Sequence, residues 1–557
     1  MIEPAPAPLD PPAALPRPRR TLPPWGDGLA ILMLALVCVL PGLGGSPLAR
    51  TEPHRAVPAH DMVTSGEWLT PRLYGVPYLR KPPLHYWLLA ATEMLVGSTS
   101  EWVYRLPSAL SSVVIALVSW LAARRWFGRQ AGLCAGAAAV ALVAMWGQFR
   151  SADVDAPNAA AAALASLAIL EIGRRNGRRS ILVVCWAGLG IGAVLLIKLH
   201  AAMAPVAAAM IAALWIARGS RWRVAGCIVL AFLLGTLLFL AWAIPAFLGL
   251  RQSGEFDFSG LAEAADRAGT YGSLASRATI PLAMVALGLP ATLAIVPALL
   301  PSTRRALGEE GGRLVVAIAC AWALALLIGA IGGVDNARYA YVTLPLLAPL
   351  AGAVAAAAAA GAYSPRMAMR LRQAMTLVAL AFGGASIALV VLAAGLASSI
   401  PAHGPGLFGW TAIALAASLT VGSVTLWIRR NSVWATVATF ATLIPLAWAF
   451  TEHRNAVRGT IASTAAAEVL ARSIGPEEPI ISGLWVFTGP ELFWYADRRP
   501  RYLLEGLGPE TPAEAGTWLV FHADEWARLT AADRSRFDTI VELPVRNRNA
   551  IAARRDR

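Results

Sequence analysis

The sequence predicts a mainly α, polytopic membrane protein with a small α/β domain at its C-terminal end. Three observations carry this. Hydrophobic residues make up 57% of the 557-residue chain and charged ones only 14%, a composition outside the range of soluble globular proteins. Apolar runs of about 18 residues or more, enough to cross about 30 Å of hydrocarbon, recur from Gly28 onward. Basic residues concentrate in alternate gaps between those runs, as the positive-inside rule requires of cytoplasmic loops.

Residues 1–26 form a Pro/Ala-rich tail with Arg17, Arg19 and Arg20 directly before the first apolar run. No small-x-small cleavage site follows, so the tail is expected to stay on the chain as a cytoplasmic segment ahead of an uncleaved anchor. The membrane part is expected over 27–454, with about thirteen spans: 27–46, 106–123, 130–148, 156–173, 180–197, 199–217, 224–248, 279–300, 314–333, 341–361, 373–397, 406–428 and 433–451. Starting inside, every even-numbered gap is basic, from Arg124, Arg125 and Arg129 to Arg429 with Arg430. The odd-numbered gaps mix acids, aromatics and scattered cations and are expected outside.

The longest outer gap, 46–105, mixes Pro, Trp, Tyr and charge without a spanning run. Short interfacial helices are expected there, with Trp68, Tyr74, Tyr78, Tyr86 and Trp87 at headgroup depth. An odd number of spans also places residues 455–557 outside. Helices are expected in this tail over 461–474 and 523–532, and strands over 480–482, 517–521 and 539–543. It carries no glycine fingerprint.

Net charge is +14, but the cations lie in loops rather than on one face, so they read as topology determinants and not as a nucleic-acid surface. All five cysteines fall in apolar runs with no CxxC pair, which excludes a disulfide framework. No internal repeat of inverted topology is evident, which argues against a secondary transporter.

Ionisable groups at the edge of hydrocarbon are costly and therefore candidates for function. The outer gaps hold two acidic groups of this kind. Glu52 lies in Thr51-Glu52-Pro53-His54-Arg55, where pairing with Arg55 is the simple structural alternative. Asp153 and Asp155 lie in Arg150-Ser151-Ala152-Asp153-Val154-Asp155-Ala156-Pro157, where either could cap the following helix. Two carboxylates meeting at one membrane face suit either a divalent cation or an acceptor to be oriented and activated. Lys81, Lys198, Arg267 and Arg338 beside Tyr339 form an outer cationic set suited to a lipid phosphate, although Lys198 at a span end could instead snorkel. His54 and His85, with His60 and His200, lack the i,i+4 spacing of a helical zinc site.

The stretches Ser65-Gly66-Glu67-Trp68-Leu69-Thr70-Pro71-Arg72-Leu73-Tyr74-Gly75, Lys81-Pro82-Pro83-Leu84-His85-Tyr86-Trp87 and Tyr104-Arg105-Leu106-Pro107-Ser108, with the acidic first outer loop, resemble the bacterial aminoarabinose transferase of lipid A and its relatives among protein mannosyltransferases. The resemblance continues through Arg150 to Asp155, Lys198 and Arg338-Tyr339, and its most specific part is the Lys-Pro-Pro stretch. It implies a GT-C fold in the bacterial inner membrane and transfer of a sugar from polyprenyl (undecaprenyl) phosphate to a lipid A, glycolipid or protein acceptor at the outer face. It also implies a divalent cation held near Glu52 and Asp155 in many members, no organic cofactor, and the periplasmic placement of the C-terminal domain.

By matching positions, Glu52 and Asp155 become the catalytic carboxylates. Lys81, Lys198, Arg267, Arg338 and Tyr339 become contacts of the donor phosphate, and His54, Arg55, His85, Arg150 and Asp153 become further candidates. The chain departs from the family where relatives read Asp-Glu-x-Arg-Tyr-Ala: here the usual first aspartate is Thr51. It departs again at Leu199-His200, where relatives commonly show Gly-Pro. A transporter or lipid flippase, or a catalytically inactive relative, are the competing readings.

Overall fold

The structure is a computed structural model that describes residues 24–178, 181–198, 202–254, 274–331, 337–398, 416–425, 439, 442–459, 463–483, 490–503, 507–545 and 549–556. Most of it is helical. Helix α1 (Pro24–Val39) opens the bundle, and its buried Asp27 is gripped by Arg124 at 2.8 Å and by both Nε and Nη2 of Arg129 at 2.7 Å. Arg124 lies in the last turn of α4 (Glu101–Phe127) and Arg129 opens α5 (Arg129–Val140), so the basic α4–α5 junction is tied to the start of the first apolar helix.

Between α1 and α4 the chain forms α2 (Pro53–Ser65), a two-stranded hairpin of β1 (Arg72–Leu73) and β2 (Val76–Pro77), and α3 (Leu84–Val96). Among the described residues, six helices are both long and apolar enough to span a membrane. They include α4, α6 (Asp155–Arg174), α9 (Arg221–Gln252) and α12 (Gly308–Ile331). Helices α7 (Ile181–Ile197) and α8 (Met203–Ile216) are apolar but shorter.

Two expected spans are corrected. The 130–148 segment is not one helix: α5 ends at Val140, Leu142 leaves helical geometry, and a short turn of helix precedes a 3-10 turn over Gln148–Arg150. The 279–300 segment contains α10 (Leu274–Leu287) and bends by 96° before Ala291–Leu299. The bend falls at Pro290, whose missing N–H and ring oppose a continuous helix. Most of the expected span 406–428 and part of 433–451 lie outside the described residues.

Close approach of backbones sets the geometry of the centre. A Cβ built on Gly190 of α7 would lie 2.7 Å from the backbone nitrogen of Ala165 in α6, so only glycine allows this contact, the usual device of membrane helix pairs. That pairing carries the C-terminal end of α7, and with it Lys198, to the first turn of α6. Helix α11 (Pro301–Ala306) leads into α12, and α13 (Ala337–Ala340), α14 (Ala348–Ala359) and α15 (Pro365–Ser398) follow.

After α16 (Leu443–Gly459) and α17 (Thr464–Ser473) comes a five-stranded sheet of order β4-β3-β5-β7-β6. It comprises β3 (Ile480–Gly483), β4 (Arg501–Leu503), β5 (Trp518–His522), β6 (Phe537–Leu543) and β7 (Ala550–Arg555), with α18 (Pro490–Tyr495) between β3 and β4. Strand β3 runs parallel to β4 and β5, whereas β7 is antiparallel to β5 and β6. Strands β4 and β7 carry no expectation from the sequence, being too short or too rich in Ala and Arg to alternate. The expected helix over 523–532 divides into two short pieces, each opened by its own capping box.

Two of the outer-segment aromatics expected at headgroup depth are covered by protein, while Trp68, Tyr74 and Trp87 stay half-buried. Tyr86 is fully buried and Tyr78 nearly so, because Trp494 and Tyr495 of α18 pack over the cluster that α2, α3 and α4 form beneath them. Tyr74 stacks on Tyr502 with ring centroids 5.4 Å apart and donates its hydroxyl to the Pro490 carbonyl at 2.9 Å.

Candidate active site

Two charged clusters sit side by side where several helix ends meet. Asp155 opens α6, Lys198 follows the last residue of α7, and Arg338 lies in α13, beyond the end of α12. Lys81 precedes α3. Helices that run in opposite directions thus bring their charged termini to one end of the bundle.

The first cluster is built on Asp153 and Asp155. A single guanidinium bridges them: Arg338 Nη2 donates to Asp153 Oδ2 and Arg338 Nε to Asp155 Oδ2. Arg55 Nε lies 3.6 Å from Asp153, and Lys198 Nζ lies 3.7 Å from Asp155. Gln148 Nε2 donates to Asp155 at 2.9 Å, and the Thr51 hydroxyl donates to Asp153 Oδ2. Neither aspartate caps α6: the cap position is Val154, without a side-chain bond, and the aspartates are spent on cations. Lys198 is buried rather than snorkelled.

Burial alone would raise the Asp153 carboxyl, but Arg55 and Arg338 outweigh it and hold the group well below the usual carboxylate range. Lys81 moves the other way. Burial, with Arg55 and Lys198 close by, pushes its ammonium down to about 7. His85 is fully buried beside this cluster, and burial lowers it to about 3, so it is a neutral ring. Arg55, Lys198, Arg338 and a partly protonated Lys81 therefore face two carboxylates, and the surplus positive charge favours an anion.

The second cluster is centred on Glu52. Arg105 grips its carboxylate through Nε and Nη2, both at 2.9 Å, Arg458 Nη1 donates at 2.5 Å, and the backbone nitrogens of Ala49 and Ala152 donate at 3.1 and 2.9 Å. The expected pairing of Glu52 with Arg55 does not occur: Arg55 turns instead to Asp153 and to the Tyr86 hydroxyl at 3.1 Å. Arg105 also donates to the carbonyls of Leu43, Ser46 and Pro47. Because Ala152 belongs to the segment carrying Asp153 and Asp155, the Glu52 hub fixes the backbone from which the first cluster projects.

Arg150 stands apart from both. It is fully buried and donates to the Thr451 hydroxyl of α16 and the Pro41 carbonyl, a clamp between chain segments. His54 is buried with its ring 6.2 Å from that of Tyr78. Arg267 and the side chain of Tyr339 lie outside the described residues. Sequence reasoning assigned no role to Arg105, to Arg458, or to Arg454, which lies 3.8 Å from Glu52 and donates to the Ser151 hydroxyl at 3.2 Å. Arg105 stands in a quoted motif, but nothing in the spacing pairs α16 with the first outer loop.

These donors do not suit a divalent cation. The oxygens of Glu52 are occupied by guanidinium and amide groups, and those of Asp153 and Asp155 face Arg55, Arg338 and Lys198, whose charges repel a metal ion. Among the described residues, no group of three or more His, Cys, Asp or Glu is placed to hold one.

A family described as dolichyl-phosphate-mannose-protein mannosyltransferase matches residues 80–246. The undecaprenyl phosphate-alpha-4-amino-4-deoxy-L-arabinose arabinosyl transferase 2 of Pseudomonas fluorescens is 28% identical over 31% of this chain and 29% of its own length. Transferase 1 of Sodalis glossinidius is 30% identical over 39% of each. The chain thus spans less than half the length of these two curated relatives. The crystal structure of ArnT from Cupriavidus metallidurans bound to undecaprenyl phosphate superposes with a TM-score of 0.68, at 20% identity, over 95% of this chain and 98% of that one. The resemblance read from the Lys-Pro-Pro stretch is borne out: this is a multi-pass, mainly helical membrane protein with the GT-C-type fold of that transferase.

Proposed function

We propose that the protein is a glycosyltransferase that moves a sugar from a polyprenyl-phosphate donor to a lipid A, glycolipid or protein acceptor at the outer face of the inner membrane. One observation carries the reading: Asp153 and Asp155 sit within a ring of Arg55, Lys81, Lys198 and Arg338 at the ends of membrane helices. A surplus of cations at a bilayer edge suits a lipid phosphate, whose negative charge grows as it leaves the sugar.

In the proposed step an acceptor oxygen forms a bond to the anomeric carbon while the bond from that carbon to the phosphate oxygen breaks. The phosphate departs with the electron pair, and a single displacement inverts the centre. Lys81, Lys198 and Arg338 stabilise the departing phosphate, and Asp155 orients the acceptor. Arg267 and Tyr339 remain further proposed phosphate contacts from the family resemblance. Glu52 is proposed as a positioning residue that holds the Ala152–Asp155 segment, which revises its expected role as a catalytic carboxylate. No step passes through a metal ion, since the donor set described above repels one.

A carboxylate held as low as that of Asp153 is a weak base. The arrangement therefore favours an acceptor that arrives already ionised, such as a phosphate of lipid A, over a serine or sugar hydroxyl. The cations cluster at one end of the bundle rather than at mid-span, which disfavours the transporter reading. The thirteen-segment plan, with 130–148 and 279–300 as broken rather than continuous helices, the cytoplasmic tail 1–26, the membrane domain 27–454 and a periplasmic domain 455–557 complete the proposal.

The test is sugar transfer in proteoliposomes carrying undecaprenyl-phosphate-linked aminoarabinose and, in turn, lipid A, a glycolipid or an envelope protein as acceptor. Asp155→Asn is expected to lower turnover by about a hundredfold or more, the scale of a lost charge contact to reacting groups. Undiminished turnover of the variant, or the absence of transfer by the wild type to any of the three acceptor classes, would overturn the assignment.

A further inference from the structure

At the far end of α12 from the carboxylate cluster lies a second cationic site. A cavity of about 590 Å³ is lined by Trp215, Arg304, Arg305, Glu309, Arg313 and Val316, with Pro301 and two glycines. Arg313, near the start of α12, places its guanidinium 5.2 Å from the centre of the Trp215 ring and donates to the Trp215 carbonyl at 3.0 Å. Arg338 lies beyond the other end of this 24-residue helix, which is roughly 36 Å long at 1.5 Å per residue.

Charge accounting distinguishes this site from an ordinary basic loop. The acidic residues are already paired with other cations: Glu309, itself in the lining, with Arg218, and Glu310 with Arg174 Nη1 at 2.8 Å. Among the described residues, Arg304, Arg305 and Arg313 have no carboxylate partner. Three uncompensated guanidinium groups thus border one cavity beside an exposed indole.

The surroundings are apolar. Ile211 and Trp215 on α8, and Val296 and Leu299 before α11, are exposed, forming the kind of surface that acyl chains cover. Trp is favoured where headgroup meets hydrocarbon, and arginine binds phosphate oxygens in a fork geometry.

We infer that this cavity binds the phosphodiester headgroup of an anionic glycerophospholipid, with Arg304, Arg305 and Arg313 on the phosphate and Trp215 at the glycerol level. The site is separate from the proposed donor site and does not depend on the transferase reading. Basic pockets between membrane helices at a cytoplasmic surface are suited to such headgroups, and the basic gaps of the sequence assign this end of the bundle to that side.

The test uses the full chain in mild detergent, with dioleoyl-phosphatidylglycerol, dioleoyl-phosphatidylcholine and inorganic phosphate as probes and native mass spectrometry as readout. The wild type is expected to retain phosphatidylglycerol in preference to phosphatidylcholine. Arg304→Gln with Arg305→Gln should weaken retention by about tenfold or more, on about 1 kcal/mol per basic residue, while Arg304→Lys with Arg305→Lys retains most of it. The double variant leaves the Arg313–Trp215 contact intact, and the wild-type lipid preference needs no variant at all. Equal retention of the two lipids by the wild type, or of phosphatidylglycerol by the glutamine variant, would refute the site. Displacement of the lipid by inorganic phosphate alone would refute its lipid source.

Discussion

Arg105 meets Glu52 in a fork, Nε to Oε1 and Nη2 to Oε2, both at 2.9 Å, and both side chains are buried. A buried pair of this kind is weak evidence for stability, because desolvation offsets the attraction, but breaking it strands a charge. Burial opposes ionisation of Glu52, yet Arg105 and Arg458 hold its carboxyl well below the usual range. Glu52→Gln should therefore destabilise the protein by about 3–5 kcal/mol, the usual cost of removing one partner of a buried pair. Thermal unfolding in detergent measures this, and a change within about 0.5 kcal/mol, as for ordinary surface positions, would contradict the hub. On the proposed positioning role of Glu52, exerted through the Ala152 amide, the same variant should lose sugar transfer even at temperatures where it is fully folded.

Lys81 gives the site a pH dependence of defined sign. In the folded protein its ammonium titrates at about 7, against about 10.4 in an unfolded chain. Between those values the unfolded chain holds a proton that the folded one lacks, so this group's contribution to stability rises with pH across the window. Donor binding has the opposite slope. A phosphodiester donor keeps one charge throughout, so its affinity should be flat below pH about 7 and fall above it by up to about tenfold per unit, as binding must bring a proton to Lys81. Equilibrium binding of a non-transferable donor analogue at several pH values checks this. Lys81→Met should weaken binding at low pH and abolish the slope; a slope unchanged in that variant would remove Lys81 from the donor site.

The first outer loop and the C-terminal sheet are tied by few polar contacts, so these can be tested singly. The Tyr74 hydroxyl donates to the Pro490 carbonyl at 2.9 Å, and Asp61, buried at the end of α2, pairs with Arg499. Tyr74→Phe should cost about 1 kcal/mol, the net value of one hydrogen bond, and Asp61→Asn a similar amount or more through its charged partner. Hydrogen exchange should show faster exchange in α18 and in the β1–β2 hairpin in both variants. Unchanged exchange there would mean that aromatic packing, of Tyr74 on Tyr502 and of Trp494 and Tyr495 over the outer cluster, holds the contact.

Much of this architecture was legible in the sequence because the bilayer imposes a strong pattern. The basic gaps, the Lys-Pro-Pro stretch and the Asp153–Asp155 segment all mark positions that the structure brings to helix ends. Lys198 and Asp155 were separate candidates, and the Gly190 contact explains why they meet. What could not be read was long-range pairing: Arg458 and Glu52 are 406 positions apart, and no periodicity links α16 to the first outer loop. Burial of Tyr86 was missed for the same reason, since the covering residues Trp494 and Tyr495 come from the other end of the chain. The breaks at Leu142 and Pro290 were hidden because an apolar run reports length without continuity.

Thr51 decides how the site treats metal ions. Its hydroxyl donates to Asp153 Oδ2, whereas the family pattern places an aspartate at this position. With Thr51, Asp153 and Asp155 are balanced by Arg55, Arg338 and Lys198 and have no surplus negative charge to attract a divalent cation. Thr51→Asp would set a second carboxylate against Asp153, and two carboxylates in such contact must share a proton or a cation. The wild type is therefore expected to keep its turnover in EDTA, while Thr51→Asp should lose activity in EDTA and recover it with added magnesium or manganese. Turnover assays with and without chelator, paired with calorimetric metal titration, measure both. Strong inhibition of the wild type by EDTA would show that the cations facing Asp153 and Asp155 move aside for a metal, and would return Asp155 to the ligand role the family resemblance implies.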